Sequence, residues 1–151
     1  MKILLAVDGS EFSQSAVEEI IRRPWPSGTE VRVLSVAHPL PYIPFLDPAF
    51  ISPAAHFDSV KQEEERASRE AEKAAKEIRE KAPDLKVTAE GLEGSPKKVI
   101  LDAAEHWGAD LIVLGSHGYG AVKGFLLGSV SHAVVLHAPC SVEIVRSLQA
   151  P

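Results

Sequence analysis

Two periodicities of apolar residues take turns along this chain. Lys2–Val7 (KILLAV) is a near-continuous apolar run closed by Asp8-Gly9-Ser10, as expected of a strand buried on both faces and ended by a turn. Ser13–Arg22 then places Ala16, Val17, Ile20 and Ile21 at helical spacing, and Pro24 and Pro26 end that helix before a Ser27-Gly28 turn. Glu30–Ala37 (EVRVLSVA) is rich in β-branched residues and predicts a second strand, its partial alternation implying more exposure than the first. Leu85–Gly91 (LKVTAEG) alternates like an edge strand. Ser95-Pro96 opens the next helix with proline at its first position; Val99, Ile100, Ala103, Ala104 and Trp107 form its apolar face, and Gly108 is its C-cap. Asp110–Leu114 (DLIVL) is another buried strand, Ser129–Ala138 a helix with Val130, Ala133, Val134 and His137 on one side, and Ser141–Arg146 (SVEIVR) the last strand.

Between the second and third strands the pattern changes twice. Segment 38–58 holds Pro39, Pro41, Pro44, Pro48 and Pro53 with Tyr42, Phe45, Phe50 and Phe57 among them. Prolines this dense exclude regular helix and sheet ladders, and the aromatics argue against plain disorder. The expectation is a partly ordered flap over a site or a subunit interface. Asp58–Lys81 is a long charged helix. Ser59 and Gln62 suit a capping box, Glu65/Arg69, Glu72/Lys76 and Glu77/Lys81 have the favourable acid-first order, and Ala67, Ala71, Ala74, Ala75 and Ile78 make a narrow buried stripe.

Strand and helix therefore alternate and end on a strand, which predicts an α/β fold: a single doubly wound open parallel sheet with helices on both faces. A length of 151 residues suits one domain over 1–151. The net charge of −5 and the lack of a basic arm argue against a nucleic-acid partner. No apolar stretch is long enough to span a bilayer, and Asp8 interrupts the first apolar run too early for a signal peptide, so a cytoplasmic location is expected. Cys140 is the only cysteine, which excludes an intrachain disulfide, and it reads as a buried structural thiol. His132 and His137, at i and i+5, have poor ligand spacing, and no group of residues has zinc spacing.

The chemistry concentrates in Gly115–Ser131 (GSHGYGAVKGFLLGSVS), which follows a buried strand and enters a helix. Gly115, Gly118, Gly120, Gly124 and Gly128 are half of the ten glycines in the chain. Glycine permits positive φ and close backbone approach, and consecutive N–H groups can form an anion nest. The helix starting near Ser129 adds its N-terminal donors and dipole, and Ser129 and Ser131 offer hydroxyls. Together these predict a phosphate cradle. It is not a Walker A loop, and Lys123 stands where the third glycine of a dinucleotide fingerprint belongs. The spacing is G-x-x-G, nine residues, then G-S, set by Gly115, Gly118, Gly128 and Ser129.

That spacing resembles the ATP-binding signature of the universal stress protein family. The likeness extends from Asp8-Gly9-Ser10 through Ala109–Gly115 and Leu127–Ser131 to Ala138-Pro139-Cys140, nearly the whole chain. One departure is Ser141, where the family usually has proline before the last strand. The resemblance implies strand order 3-2-1-4-5, a Rossmann-like sheet of the adenine-nucleotide α-hydrolase type, with its ligand crevice between the first and fourth strands. It implies that Ala6, Val7 and Asp8 border the nucleoside, that the Val36 backbone meets adenine, and that Leu114 packs on the base or ribose. Gly115, His117, Gly118, Gly128, Ser129, Val130 and Ser131 would hold the phosphates. It further implies ATP with magnesium or manganese on the phosphates and Asp8 near that ion, no protein-only metal cage, and a homodimer through residues 142–146.

The residues themselves leave other roles open. Asp8 can cap the following helix instead, the glycines can be turn formers, and His117 can be a surface residue. Three functions fit: an ATP-binding stress or signalling module with at most slow hydrolysis, an enzyme of the wider group that hydrolyses ATP or transfers AMP, and a partner-binding domain with ATP as a structural ligand. The sequence shows no arginine in the cradle and no plausible general base opposite it, groups that phosphoryl-transfer enzymes use. The enzyme motifs Ser-Gly-Gly-x-Asp-Ser and His-Ile-Gly-His are also absent.

Overall fold

A computed structural model describes residues 1–38, 53–118 and 127–146. The elements are β1 (Lys2–Val7), α1 (Glu11–Arg22), β2 (Glu30–Ala37), α2 (Pro53–Lys81), β3 (Lys86–Glu93), α3 (Pro96–Trp107), β4 (Leu111–Gly115), α4 (Ser129–His137) and β5 (Ser141–Val145). The strands form one parallel sheet in the order β3-β2-β1-β4-β5. No helix among the described residues is long and apolar enough to cross a membrane.

Alternation along the central strands divides the core in two. Ile3, Leu5, Val7, Val31 and Val33 face α1 and α2, meeting Val17, Ile20, Ala71, Ala75 and Ile78. Leu4, Leu34, Ile112 and Leu114 face α3 and α4, meeting Ile100, Ala104 and Val134. The alanine stripe of α2 is buried as expected. Gly108 is the left-handed C-cap of α3, at φ 68°, ψ 50°.

Several local expectations need correction. β2 is only slightly more exposed than β1: Val31, Val33, Leu34, Ser35 and Ala37 are all buried, because β1 and β3 flank it. α2 starts at Pro53 rather than 58. A proline is tolerated in the first turn, where its missing N–H would have no partner. Ser59 and Gln62 therefore lie inside the helix and form no capping box at its start. Residues 39–52 of the expected flap lie outside the described residues. Glu65–Arg69 (3.8 Å) and Glu77–Lys81 (2.7 Å) pair as expected, but Glu72 takes Arg79 (2.6 Å) and Lys76 takes Glu80 (4.0 Å). Arg79 also donates from Nε to the Val87 carbonyl, which holds its guanidinium on the Glu72 side of the helix. His137 is exposed rather than on the covered side of α4, because the last turn, Val135 to His137, is exposed as a whole.

Candidate functional site

In a parallel sheet every strand delivers its following loop to the same rim. β1 is where the order reverses: β2 and β3 lie to one side, β4 and β5 to the other. The loops after β1 and β4 thus diverge and leave a crevice. A cleft of about 120 Å³ occupies it.

Ala6, Val7, Asp8, Val36, Leu114, Gly115, His117, Gly118, Val130 and Ser131 line this cleft, so most of the residues singled out from sequence come together. Gly128 and Ser129 do not line it; they lie next to it at the start of α4. Gly120, Gly124 and Lys123 lie outside the described residues. Ser13, Leu34, Pro96 and Ile100 also line the cleft and escaped the sequence reading. The signal for them was topological. Leu34 shares a face of β2 with Val36 at period two, and α1 and α3 begin at the same rim after β1 and β3.

The turn after β1 is tightly bonded. Ser10 N–H donates to Asp8 Oδ1 (3.0 Å), an Asx turn. Asp8 N–H donates to Ser13 Oγ (3.4 Å), and Ser13 N–H donates to Ser10 Oγ (3.2 Å). Ser10, not Asp8, is the side-chain cap of α1. Asp8 Oδ2 faces Gly118: a Cβ on Gly118 would stand 2.9 Å from it.

The glycines act by size rather than by φ. Among the described residues the positive-φ glycines are Gly9, Gly28, Gly94 and Gly108, not Gly115, Gly118 or Gly128. A Cβ on Gly115 would meet the Phe12 carbonyl oxygen at 2.5 Å, so only glycine lets α1 close over the end of β4. A Cβ on Gly128 would stand 3.2 Å from His117 Cα. His117 stacks obliquely on Phe12 (5.1 Å between ring centres), and its Nδ1 lies 3.1 Å from Ser116 Oγ.

Gly128 is the N-cap of α4, with no side-chain cap bond. The first bond of the helix is His132 N–H to Gly128 O (2.9 Å). The N–H groups of Ser129, Val130 and Ser131 precede it, which is the donor array that attracts anions. The Ser131 hydroxyl donates to Gly115 O (2.8 Å) in a buried setting, so its proton already has an acceptor inside the protein. Among the described residues no three His, Cys, Asp or Glu come together as a metal cage. Cys140 is half-buried, and burial pushes its thiol pKa up, the opposite of what a reactive thiolate needs.

Sheet order, crevice and helix start define a doubly wound open α/β protein with a cleft at the strand switch point. The Universal stress protein family model matches residues 1–146, and the chain belongs to that family. A Thermus aquaticus universal stress protein is 36% identical over 95% of this chain and 97% of its own length. Among solved structures, the hypothetical protein MJ0577 is 26% identical, with TM-score 0.81, over 99% of this chain and 97% of its own. Universal stress protein UspA from Lactobacillus plantarum is 29% identical, with TM-score 0.74, over 97% of both chains. Two more distant structures share the fold. An Arabidopsis thaliana family protein with AMP bound is 20% identical at TM-score 0.66, covering 97% of this chain and 91% of its own. A universal stress protein in complex with cAMP is 24% identical at TM-score 0.58, covering 97% of this chain and 96% of its own.

Proposed function

We propose that this protein is an ATP-binding stress or signalling module whose nucleotide occupancy controls its conformation or assembly. The observation that carries this reading is the meeting of three features at one crevice: the Asp8 turn, the glycine-tight end of β4, and the glycine-capped start of α4. Their chemistry suits the parts of a nucleotide. Ala6, Leu34, Val36, Ile100 and Leu114 give an apolar wall for a base, and the Val36 backbone lies beyond Val7–Ser35, the last β1–β2 pair. The first N–H groups of α4 suit phosphate. Family structures with AMP and with cAMP support the choice of adenine nucleotides.

Asp8 is the one carboxylate lining the cleft among the described residues. A carboxylate near phosphate is repulsive unless a cation lies between them. Magnesium or manganese carried on the phosphates, with Asp8 beside it, removes that conflict. When bound, that ion would neutralise phosphate charge; the residues of this chain bind and orient. A Gly115–Ser131 loop without arginine is suited to holding ATP, and hydrolysis is at most slow. A homodimer through residues 142–146 belongs to the same reading. Val142 and Ile144 are half-buried on an edge strand, and Val135 and Leu136 of α4 are exposed. The expected location is cytoplasmic.

The test is direct. The purified protein is denatured and the supernatant run on an ion-exchange column beside ATP, ADP and AMP standards. Recovery of ATP is the expected outcome. No nucleotide recovered, together with no binding when ATP and magnesium are added, would leave the glycine loop a purely structural element. Phosphate or pyrophosphate release at catalytic rates would favour the enzyme reading.

A further inference from the structure

We propose that Ser131 is a positioning residue of the cradle, acting through Gly115 and not by touching phosphate; this rests on the nucleotide reading above. Two hydrogen bonds clasp the start of α4 to the end of β4. Gly128 N–H donates to Ser116 O at 2.9 Å, and Ser131 Oγ donates to Gly115 O at 2.8 Å. Both serines are buried, Ser116 at 4% and Ser131 at 3% exposure. Ser116 N–H donates in turn to Val145 O at 2.9 Å, which anchors the clasp to β5.

A hydroxyl has one proton. With that proton on the Gly115 carbonyl, Ser131 has none to donate to a phosphate oxygen. Breaking the bond would leave a buried carbonyl without its partner, which is the expensive half of any hydrogen-bond deletion. With its proton committed inside the protein, the hydroxyl needs a purpose other than phosphate contact at this position. The clasp supplies one: it fixes where the N–H groups of Ser129, Val130 and Ser131 point relative to Gly115 and Gly118. The other first-turn serine, Ser129, is exposed and makes no such bond to β4. The two hydroxyls that looked equivalent in sequence therefore have different tasks.

The test compares wild type with Ser131→Ala, Ser131→Cys and Ser131→Thr. Calorimetry gives the affinities for ATP with magnesium and for adenosine, and amide hydrogen exchange is followed on nucleotide-free protein. Loss of the clasp lowers the fraction of molecules whose cradle is competent. The expected result for Ser131→Ala is ATP binding weakened about tenfold, with adenosine within about twofold. The amides of residues 128–131 should exchange faster before any nucleotide is added. Ser131→Cys keeps the volume with a weaker donor and should follow alanine, while Ser131→Thr keeps the hydroxyl and should restore binding. Unchanged ATP affinity in the alanine and cysteine variants overturns the proposal. So does weakened ATP binding with unaltered exchange in the nucleotide-free protein, which would make the hydroxyl a direct phosphate ligand. Equal loss of ATP and adenosine makes it a general stability residue, which also overturns the positioning role. Wild-type protein that binds neither ligand overturns the nucleotide reading itself, a result read without any variant.

Discussion

The two ends of the sheet each carry a hollow, and they differ in kind. At the amino end, Ile21, Trp25, Pro26, Pro83 and Leu85 help to line a groove of about 610 Å³, roughly five times the crevice at the carboxyl end. Yet the groove's cations are already paired. Arg22 holds Glu19 (2.5 Å), Arg23 holds both Glu19 and Glu143 (2.7 Å each), and Lys81 holds Glu77 (2.7 Å). Its turns are bonded too, Thr29 N–H to Pro26 O and Leu85 N–H to Ala82 O. The crevice is smaller, but it adjoins a helix start without a side-chain cap, an Asp8 turn and glycines that admit close approach. Room alone does not make a site. Hydrogen-bonding capacity aimed into the room does, and parallel strands concentrate it at their carboxyl ends.

The strongest way to break this contrast is to crowd the crevice and its edge. Gly118→Val puts a Cβ 2.9 Å from Asp8 Oδ2, and Gly128→Val puts one 3.2 Å from His117 Cα. The double variant, checked for folding by circular dichroism, should lose ATP by about a hundredfold, ~2.7 kcal/mol, in a calorimetric titration. Retained affinity would remove the crevice as the nucleotide site. Gly115→Ala is the harsher companion, because its Cβ meets Phe12 backbone at 2.5 Å. It should cost about 1–3 kcal/mol of folding stability in urea denaturation as well as binding.

How much of this contrast the chain discloses follows from what each signal depends on. Apolar runs such as Lys2–Val7 and the proline and glycine punctuation at Pro96 and Gly108 act locally, so element order and the carboxyl-end placement of Asp8 and Gly115 could be read directly. The strand order came with the family resemblance, since periodicity does not say which strands are neighbours. Ser131 shows the limit. Sequence presents two serines at the start of a helix, but which hydroxyl is buried against a strand end depends on packing. The start of α2 was missed because Pro53 reads as a helix breaker although it fits a first turn. The helix spacing does not disclose the Glu72–Arg79 pair because Arg79 is drawn by the Val87 carbonyl, an acceptor on the next element, β3.

The amino-end groove supplies the control. Trp25 donates from Nε1 to Ile20 O (2.8 Å) and lies under the Arg23 guanidinium, 5.1 Å from the ring centre. Trp25→Ala removes a half-buried wall and should lower stability by about 2 kcal/mol in urea denaturation. ATP affinity should stay within about twofold, because the groove lies at the opposite end of the strands. A large change in affinity would mean that the two ends are coupled and that the groove is more than a structural seam.

Acid sharpens the contrast most gently. Hydrogen bonding from Arg22 is the main influence holding the Glu19 carboxyl below its ordinary 4.5; burial opposes it, and Arg23 assists. A carboxyl held lower in the folded chain than in the unfolded one contributes stability above the unfolded value. That contribution is lost as pH falls through the folded value. Stability should therefore drop below about pH 4.5, and Glu77, held down by Lys81 and Gln14, adds to the same slope. Glu19→Gln should cost only about 0.5 kcal/mol at pH 7, since Arg22 is largely solvated and Arg23 partly so, and should flatten the acid limb of a urea-midpoint titration. Arg23 keeps its second carboxylate, Glu143, in that variant, so the α1–β5 link survives. An acid limb as steep as in the wild type would show that the Glu19 pairs do not set the acid sensitivity of the fold, and would move attention to Glu77, paired with Lys81 on α2.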